Sequence, residues 1–335
     1  MDGYLAVLTP DESLSGVPGV AGCQIGHLED GDIVSISPRG YVQTVFRASS
    51  RSNSLFATER CNSFCLMCSQ PPRDVDDSGR VEELLRIVSL IDKQPAELGI
   101  TGGEPTLLGD GLMEVVGACR DKLPSTAIHI LSNGRRFYYS SFARKLAAVK
   151  HPNLMVGVPV YSDIGELHDY VVQARDSFAE TILGLHNLGR FDVPVEIRVV
   201  VHKQTFLRLP QLAEYIYRNL TFAAHVAFMG LEMIGFAKAN VADLWMDPLD
   251  YMDQLEEAVL LLATSGMAVS VYNQQLCTAP RSLWPFCRQS ISDWKNEYAP
   301  ECNGCAVRSD CGGFFVWNIS GYRSRGTRTV ALTNS

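Results

Sequence analysis

The chain has 335 residues, 46% of them apolar and 20% charged, with 27 Gly and 16 Pro. That balance excludes disorder over most of the length and fits one large domain with appendages, or two domains. Lys and Arg number 29 against 37 Asp and Glu, a net charge of −8, so no general field draws in a phosphate backbone, and nucleic acid is not expected as a main partner. No run of about 18 apolar residues is present, and the start, Met1-Asp2-Gly3-Tyr4, lacks the basic and apolar regions of a signal peptide. A cytoplasmic protein with no membrane partner is expected.

Along the chain, residues 1–50 read as a small β module. Asp30-Gly31 supplies a turn, Asp32 to Ser37 alternates in a β-type run, and Gly40 closes it. From residue 51 short apolar runs alternate with amphipathic stretches, the pattern of βα units around a parallel sheet. The strand-like runs are 54–58, 97–101, 127–131, 154–160, 195–201 and 225–231. Helical spacing recurs near 80–93, 110–121, 140–149, 178–189 and 208–219, and Pro248 opens a further helix, capped by Asp247 and running to Thr264. The expected fold class is α/β: a partial (β/α)6 TIM-like barrel over 51–270. Residues 271–320, rich in Cys, Gly, Trp and Pro, form a separate metal-organised segment. Residues 321–335, with Arg323, Arg325 and Arg328 among Gly, Ser and Thr, read as a flexible tail.

Ten cysteines in a cytosolic chain read as metal ligands where they cluster, because disulfides do not persist there. Cys23 and Cys119 stand alone and read as small apolar residues. Cys61-Asn62-Ser63-Phe64-Cys65-Leu66-Met67-Cys68 places three thiols at C-x3-C-x2-C spacing after the first strand of the barrel, on the loop where such a fold puts its chemistry. Three thiolates suit a [4Fe-4S] cubane with one iron left open to a small molecule; a structural zinc taking a fourth ligand from elsewhere fits the same spacing. Thr101-Gly102-Gly103-Glu104-Pro105 follows the second strand. Its glycines allow close backbone approach, and Glu104 offers a carboxylate to an amine, although Gly-Gly also makes ordinary turns.

The two motifs together resemble the radical S-adenosylmethionine (SAM) superfamily. The resemblance implies that Cys61, Cys65 and Cys68 hold a [4Fe-4S] cluster and that Gly102, Gly103, Glu104 and Pro105 bind the methionine amine of SAM. It further implies SAM contacts from Ser132 and Asn133, ending the third strand, from Ser162 beside Asp163, ending the fourth, and from Arg198 on the fifth. A guanidinium in an apolar strand must in any case find an acceptor. Met67 stands where relatives often carry an aromatic residue.

A second group, Cys302-Asn303-Gly304-Cys305 through Cys311, has C-x2-C-x5-C spacing, with Cys277 and Cys287 upstream. It resembles the SPASM or shorter twitch domain that carries an auxiliary [4Fe-4S] cluster. The resemblance gives Cys277, Cys302, Cys305 and Cys311 as ligands, with Cys287 as the alternative to one of them; a zinc knuckle is the competing reading. The stretch Phe314-Phe315-Val316-Trp317 lacks the further Cys of the longer form, which argues for one auxiliary cluster. Trp284-Pro285-Phe286 and Trp294 read as core around a small metal site.

Over nearly the whole chain, Glu59 to Ser63, Cys68 to Pro72, Ser290-Ile291-Ser292-Asp293-Trp294-Lys295 and Cys302 to Phe315 look like the C-type subunit of the His-Xaa-Ser system radical SAM maturases. This implies a precursor peptide as substrate, a sister radical SAM maturase and a small accessory protein as partners, and a flavodoxin or ferredoxin as electron donor. Reductive cleavage of SAM would give a 5′-deoxyadenosyl radical that abstracts hydrogen from the peptide to install a cross-link or related modification. The rival readings are a radical SAM enzyme acting on a small molecule and a non-catalytic cluster-bearing partner. Tyr161, His168 and His202 lie near strand ends, where such residues are more often structural, and none is assigned as catalytic.

Overall fold

The computed structural model of the protein describes residues 7–11, 19–22, 24–290, 292 and 295–331. The start Met1-Asp2-Gly3-Tyr4 and Cys23, Ile291, Asp293 and Trp294 lie outside them.

Two short strands, β1 (Val7–Leu8) and β2 (Gly19–Val20), pair in parallel. Strands β3 (Ile33–Ile36) and β4 (Val42–Phe46) pair antiparallel within the N-terminal stretch read as a small β module. Its connecting turn uses Gly40 at φ 81°, a backbone region glycine enters without strain.

The main body then runs β5 (Asn53–Phe56), α1 (Arg80–Leu90), β6 (Glu97–Thr101), α2 (Asp110–Lys122), β7 (Ala127–Leu131), α3 (Ser140–Val149) and β8 (Leu154–Pro159). It continues through α4 (Gly165–Val172), α5 (Ser177–Arg190), β9 (Val195–Val200), α6 (Leu209–Asn219) and β10 (His225–Met229). The last part holds α7 (Phe236–Ala239), α8 (Val241–Leu244), α9 (Met252–Thr264), β11 (Val269–Tyr272) and β12 (Cys287–Arg288). Asp247 accepts from Leu249 N at 3.0 Å, but what it caps is a separate 3-10 turn, Pro248–Asp250; the expected helix to Thr264 starts only at Met252.

Strands β5 to β12 form one eight-stranded, all-parallel sheet in sequential order. Six of these strands match the expected apolar runs. Strands β11 and β12 are additional, and they carry the sheet past residue 270 into the Cys-rich segment. Successive strand residues face opposite sides. One set, Leu98, Ile100, Ile130, Val158, Ile197 and Phe228, is fully buried against the helices in a single core, each such side chain contributing about 1.5–3 kcal/mol. The alternate set, including Glu97, His129, Glu196, Arg198, His225 and Ser270, gives the inner face a polar lining. Among the described residues no helix is long and apolar enough to cross a membrane.

Candidate active site

The C-terminal ends of β5 to β8 gather most of the residues singled out from the sequence. The loop carrying Cys61, Cys65 and Cys68 leaves β5 and is fixed by backbone hydrogen bonds. Gly103 N donates to Thr58 O at 2.6 Å and Glu104 N to Arg60 O at 2.8 Å. Phe64 N and Leu66 N donate to Val172 O and Val171 O at the end of α4. Phe236 N, opening α7, donates to Cys68 O at 2.9 Å. The cysteine loop is therefore shaped by three neighbouring elements and not by its thiols.

The glycine pair is what lets β6 come this close. Gly102 adopts φ +146°, and a Cβ there would sit 2.5 Å from Thr58 O; a Cβ on Gly103 would sit 2.1 Å from Arg60 O. Substituting Gly103→Ala is thus expected to push the strip off the cysteine loop and to lower the thermal midpoint by several degrees. An unchanged midpoint in that variant would remove the close approach from the account.

Burial raises the Cys61 thiol to about 11, with the nearby Glu104 carboxylate adding to the effect. Burial, then the neighbouring Cys61 and Cys68, push Cys65 well above its ordinary value, and burial raises Cys68. The three thiols thus share one electrostatic environment, without closing to the spacing of a single-ion site. Holding all three as thiolates beside Glu104 requires a positively charged centre, since coordination deprotonates thiols outright.

Glu104 is buried, and all its partners come from the chain itself. Its Oε1 accepts from Thr106 N (3.0 Å), Thr106 Oγ1 (2.6 Å) and Ser132 Oγ (2.7 Å), while Oε2 accepts from Asn133 N at 2.7 Å. A carboxylate has about four acceptor sites, two per oxygen, so Oε2 keeps one free direction. Pro105 opens a short 3-10 turn whose second residue, Thr106, Glu104 caps. Asn133 also reaches back to the cysteine loop, its Nδ2 donating to Asn62 Oδ1 at 2.6 Å and lying 4.0 Å from Cys61 Sγ. Gly102, Gly103, Glu104, Ser132, Asn133 and the three cysteines therefore form one connected group.

Ser162 and Arg198 stand apart from that group. Ser162 is buried and accepts from Ile164 N at 3.1 Å. The adjacent Asp163 is ion-paired with Arg208. Arg198, two residues before the end of β9, finds its acceptor in Glu196 at 2.5 Å, and its other nitrogen reaches Met229 Sδ at 3.2 Å. Burial alone would raise the Glu196 carboxyl, but the His225 hydrogen bond and the Arg198 and His129 charges outweigh it and hold the group at about 2. His225 passes the chain on, its Nε2 lying 3.0 Å from Ser270 Oγ. This Glu196–His225–Ser270 series was not singled out from the sequence; the charged pair Glu196 and Arg198 inside Val195-Glu196-Ile197-Arg198-Val199 was the available signal.

Tyr161 is buried and lies beside Cys65 and Cys68, packed 5.8 Å from His168 and 6.1 Å from His202 between ring centroids. Burial lowers both histidines from 6.5 to about 4, and neither ring nitrogen of His202 has a hydrogen-bond partner. Between those values the unfolded chain takes up protons that the folded chain refuses, so stability falls as pH drops through this window. The loss is about 2 kcal/mol per histidine by pH 5. Urea midpoints at pH 7 and pH 5 should differ accordingly, and His202→Leu should remove about half of the difference; an unchanged difference would mean that His202 is not held neutral.

In the second cysteine group, Cys277, Cys302, Cys305 and Cys311 line one small cavity together with Tyr298, Arg308 and Arg328. Cys287 is not among the lining residues. It is buried on β12 and pushed up to about 12 by burial, with Cys311 as its neighbouring thiol. Trp284 acts as core, its Nε1 donating to Leu276 O and Ala279 O, each at 3.1 Å, and so bracing the Cys277 loop. Residues 321–331, expected as part of a flexible tail, are instead bound down. Ser324 Oγ donates to Asp247 Oδ1 at 2.6 Å, Arg325 N to Asp247 Oδ2 at 2.8 Å and Thr329 Oγ1 to Glu301 O at 2.6 Å.

Two further charged residues, Glu232 and Lys295, are partly buried and close enough for each charge to favour the other. Burial raises the first and lowers the second. The Glu232 loop is clamped by Asn318, which accepts from Met233 N at 3.0 Å and donates to Leu231 O at 3.2 Å. Nothing in the local sequence marks Glu232; only the folded arrangement does.

Residues 55–216 match the family model described as the Radical SAM superfamily, a little under half of the chain. No curated protein is significantly similar to the chain. Among solved structures, SuiB of Streptococcus suis bound to S-adenosylmethionine is 14% identical with a TM-score of 0.55, covering 76% of this chain and 56% of its own. SuiB bound to precursor peptide SuiA is 15% identical with a TM-score of 0.53, covering 66% of this chain and 48% of its own. Hexahistidine-tagged anSMEcpe with bound AdoMet is 18% identical with a TM-score of 0.51, covering 66% and 61%. The chain thus spans about half to three fifths of the length of these neighbours, and at such identities the likeness is one of fold. Over residues 55–216 the chain is thus similar to the Radical SAM superfamily.

Proposed function

We propose that the chain is a radical SAM peptide maturase, with the SAM-binding [4Fe-4S] cluster on Cys61, Cys65 and Cys68 and an auxiliary [4Fe-4S] cluster on Cys277, Cys302, Cys305 and Cys311. The observation that carries the reading is the clamping of the three-cysteine loop by the Gly102–Glu104 strip, with Glu104 keeping one free acceptor direction on Oε2 beside Cys61. When bound, cluster and SAM supply a 5′-deoxyadenosyl radical, which abstracts hydrogen. The chain's own residues do the positioning. Gly102 and Gly103 let the strip lie directly against the cysteine loop, Glu104 Oε2 would take an ammonium hydrogen, and Ser132 and Asn133 hold Glu104 in place. Buried Tyr161, Met67 and Leu244 exclude water from the loop's inner side, which protects a reactive intermediate.

The substrate in this reading is a ribosomally made precursor peptide of His-Xaa-Ser type, met together with a sister maturase and a small accessory protein, with a flavodoxin or ferredoxin as electron source. It is supported by the sequence likeness to the C-type maturase subunit and by neighbours of the same fold, one of them solved with its precursor peptide. The domain limits follow the same proposal: a β module at 1–50, the radical SAM barrel at 51–270, a SPASM- or twitch-like segment at 271–320 and the remainder beyond.

Anaerobic reconstitution tests it. The chain should hold about eight iron atoms, in two cubanes, and release 5′-deoxyadenosine under dithionite faster with a His-Xaa-Ser peptide present. Turnover that ignores the peptide and responds to a small metabolite instead would sink the peptide reading. About four irons with zinc at the second group would sink the auxiliary cluster alone.

A further inference from the structure

The second cysteine group is closed on one side by a segment whose composition gives no hint of it. Residues 321–331 have little apolar surface to bury, yet polar contacts fix them along their length. Arg323 pairs with Glu301 at 2.8 Å, and Arg325 pairs with Asp250 through both terminal nitrogens. Ser324 Oγ and Arg325 N share the Asp247 carboxylate, which is itself immobilised as the cap of Leu249. Further on, Ala306 N donates to Val330 O at 3.0 Å and Thr329 Oγ1 to Glu301 O.

This anchoring aims two backbone donors at sulfur. Val330 N lies 3.4 Å from Cys305 Sγ, and the backbone of Arg328 hydrogen-bonds the Cys277 thiol. Residues two apart in an extended chain present their N–H groups to the same side, so the spacing of 328 and 330 suits the task. The Arg328 side chain joins the lining of the same cavity. Leu276 N, 3.5 Å from Cys311 Sγ, adds a donor from the barrel side.

We propose that residues 321–331 are a strap that sets the reduction potential of the auxiliary cluster and shields it, acting through the Val330 and Arg328 backbone donors to Cys305 and Cys277. The inference rests on the reading that these cysteines hold an iron–sulfur cluster. A cluster gains negative charge when it takes up an electron, so donors to its sulfurs favour the reduced state and raise the potential. The strap residues touch no reacting atom; they are positioning residues.

The test uses the chain with Cys61, Cys65 and Cys68 replaced by alanine, so that iron is confined to the second group, and dithionite as the electron source. Val330→Pro removes the N–H but leaves the carbonyl that Ala306 uses; Val330→Ala keeps both. In an EPR-monitored titration Val330→Pro should lower the one-electron reduction equilibrium about tenfold, a shift of about 59 mV, with iron content unchanged and Val330→Ala at the parent value. Arg325→Ala, which loosens the anchor and leaves every donor in the chain, should speed iron loss to a chelator severalfold. Equal potentials for the Pro and Ala variants, with iron present and the chelator rate unmoved, overturn the strap while leaving the cluster reading intact. Zinc in place of iron at this group overturns both.

Discussion

Replacing Cys61, Cys65 and Cys68 together by alanine is expected to lower iron from about eight to about four atoms per chain and to abolish 5′-deoxyadenosine formation altogether. The thiols are the only feature lost. The loop's course is fixed by Gly103 N to Thr58 O, Phe64 N to Val172 O, Leu66 N to Val171 O and Phe236 N to Cys68 O, none of which involves a side chain. Alanine removes three buried thiols, which burial keeps protonated in the metal-free chain, and leaves those bonds standing. The circular dichroism spectrum and thermal midpoint of the metal-free chain should therefore be close to those of the parent. Complete loss of iron would mean that the second group depends on the first, and residual 5′-deoxyadenosine would remove these cysteines from the cluster.

Glu104→Gln is the second large effect, and it separates two roles of one side chain. If the amide oxygen takes the three donors now on Oε1, the amide NH2 is turned toward Asn133 N, donor against donor. A buried donor left unsatisfied costs about 1–3 kcal/mol, which in a domain of this size lowers the melting midpoint by several degrees. The free acceptor direction on Oε2 disappears at the same time, so SAM affinity should fall by a hundredfold or more, consistent with the loss of a charge-assisted bond. Thr106→Val removes one Oε1 donor and keeps the carboxylate. It should destabilise by about 1 kcal/mol with little change in affinity. Equal loss of affinity in both variants would show that Glu104 acts only as a brace.

The barrel was legible because its strands are short, apolar and separated by helices with clear 3.6-residue spacing. Strands β6 and β7 and helix α3 fall at their expected limits. Strands β11 and β12 were not legible. Val269-Ser270-Val271-Tyr272 is too short to stand out, and Cys287-Arg288 lies in a stretch whose Cys, Pro and Trp content speaks of metal. The cysteine loop and the Gly-Gly-Glu-Pro strip could be read because their chemistry is local in sequence. Glu104 shows where such reading ends. Its free carboxylate is a sequence inference, whereas the Ser132 and Asn133 donors that occupy most of it come from β7, which only the sheet brings alongside. Residues 321–331 show the same limit in reverse. Gly, Ser, Thr and Arg suggest mobility until their carboxylate partners, Asp247 and Asp250, arrive from a distant part of the chain.

The continuity of the sheet has a mechanical consequence. The ladder runs without a break from β5, which leads into the first cysteine loop, to β12, where Val271 pairs with Cys287 beside the second group. The strand that leads into the first cysteine loop and the strand beside the second group therefore belong to one hydrogen-bonded sheet, and any displacement of one end is passed to the other through that ladder.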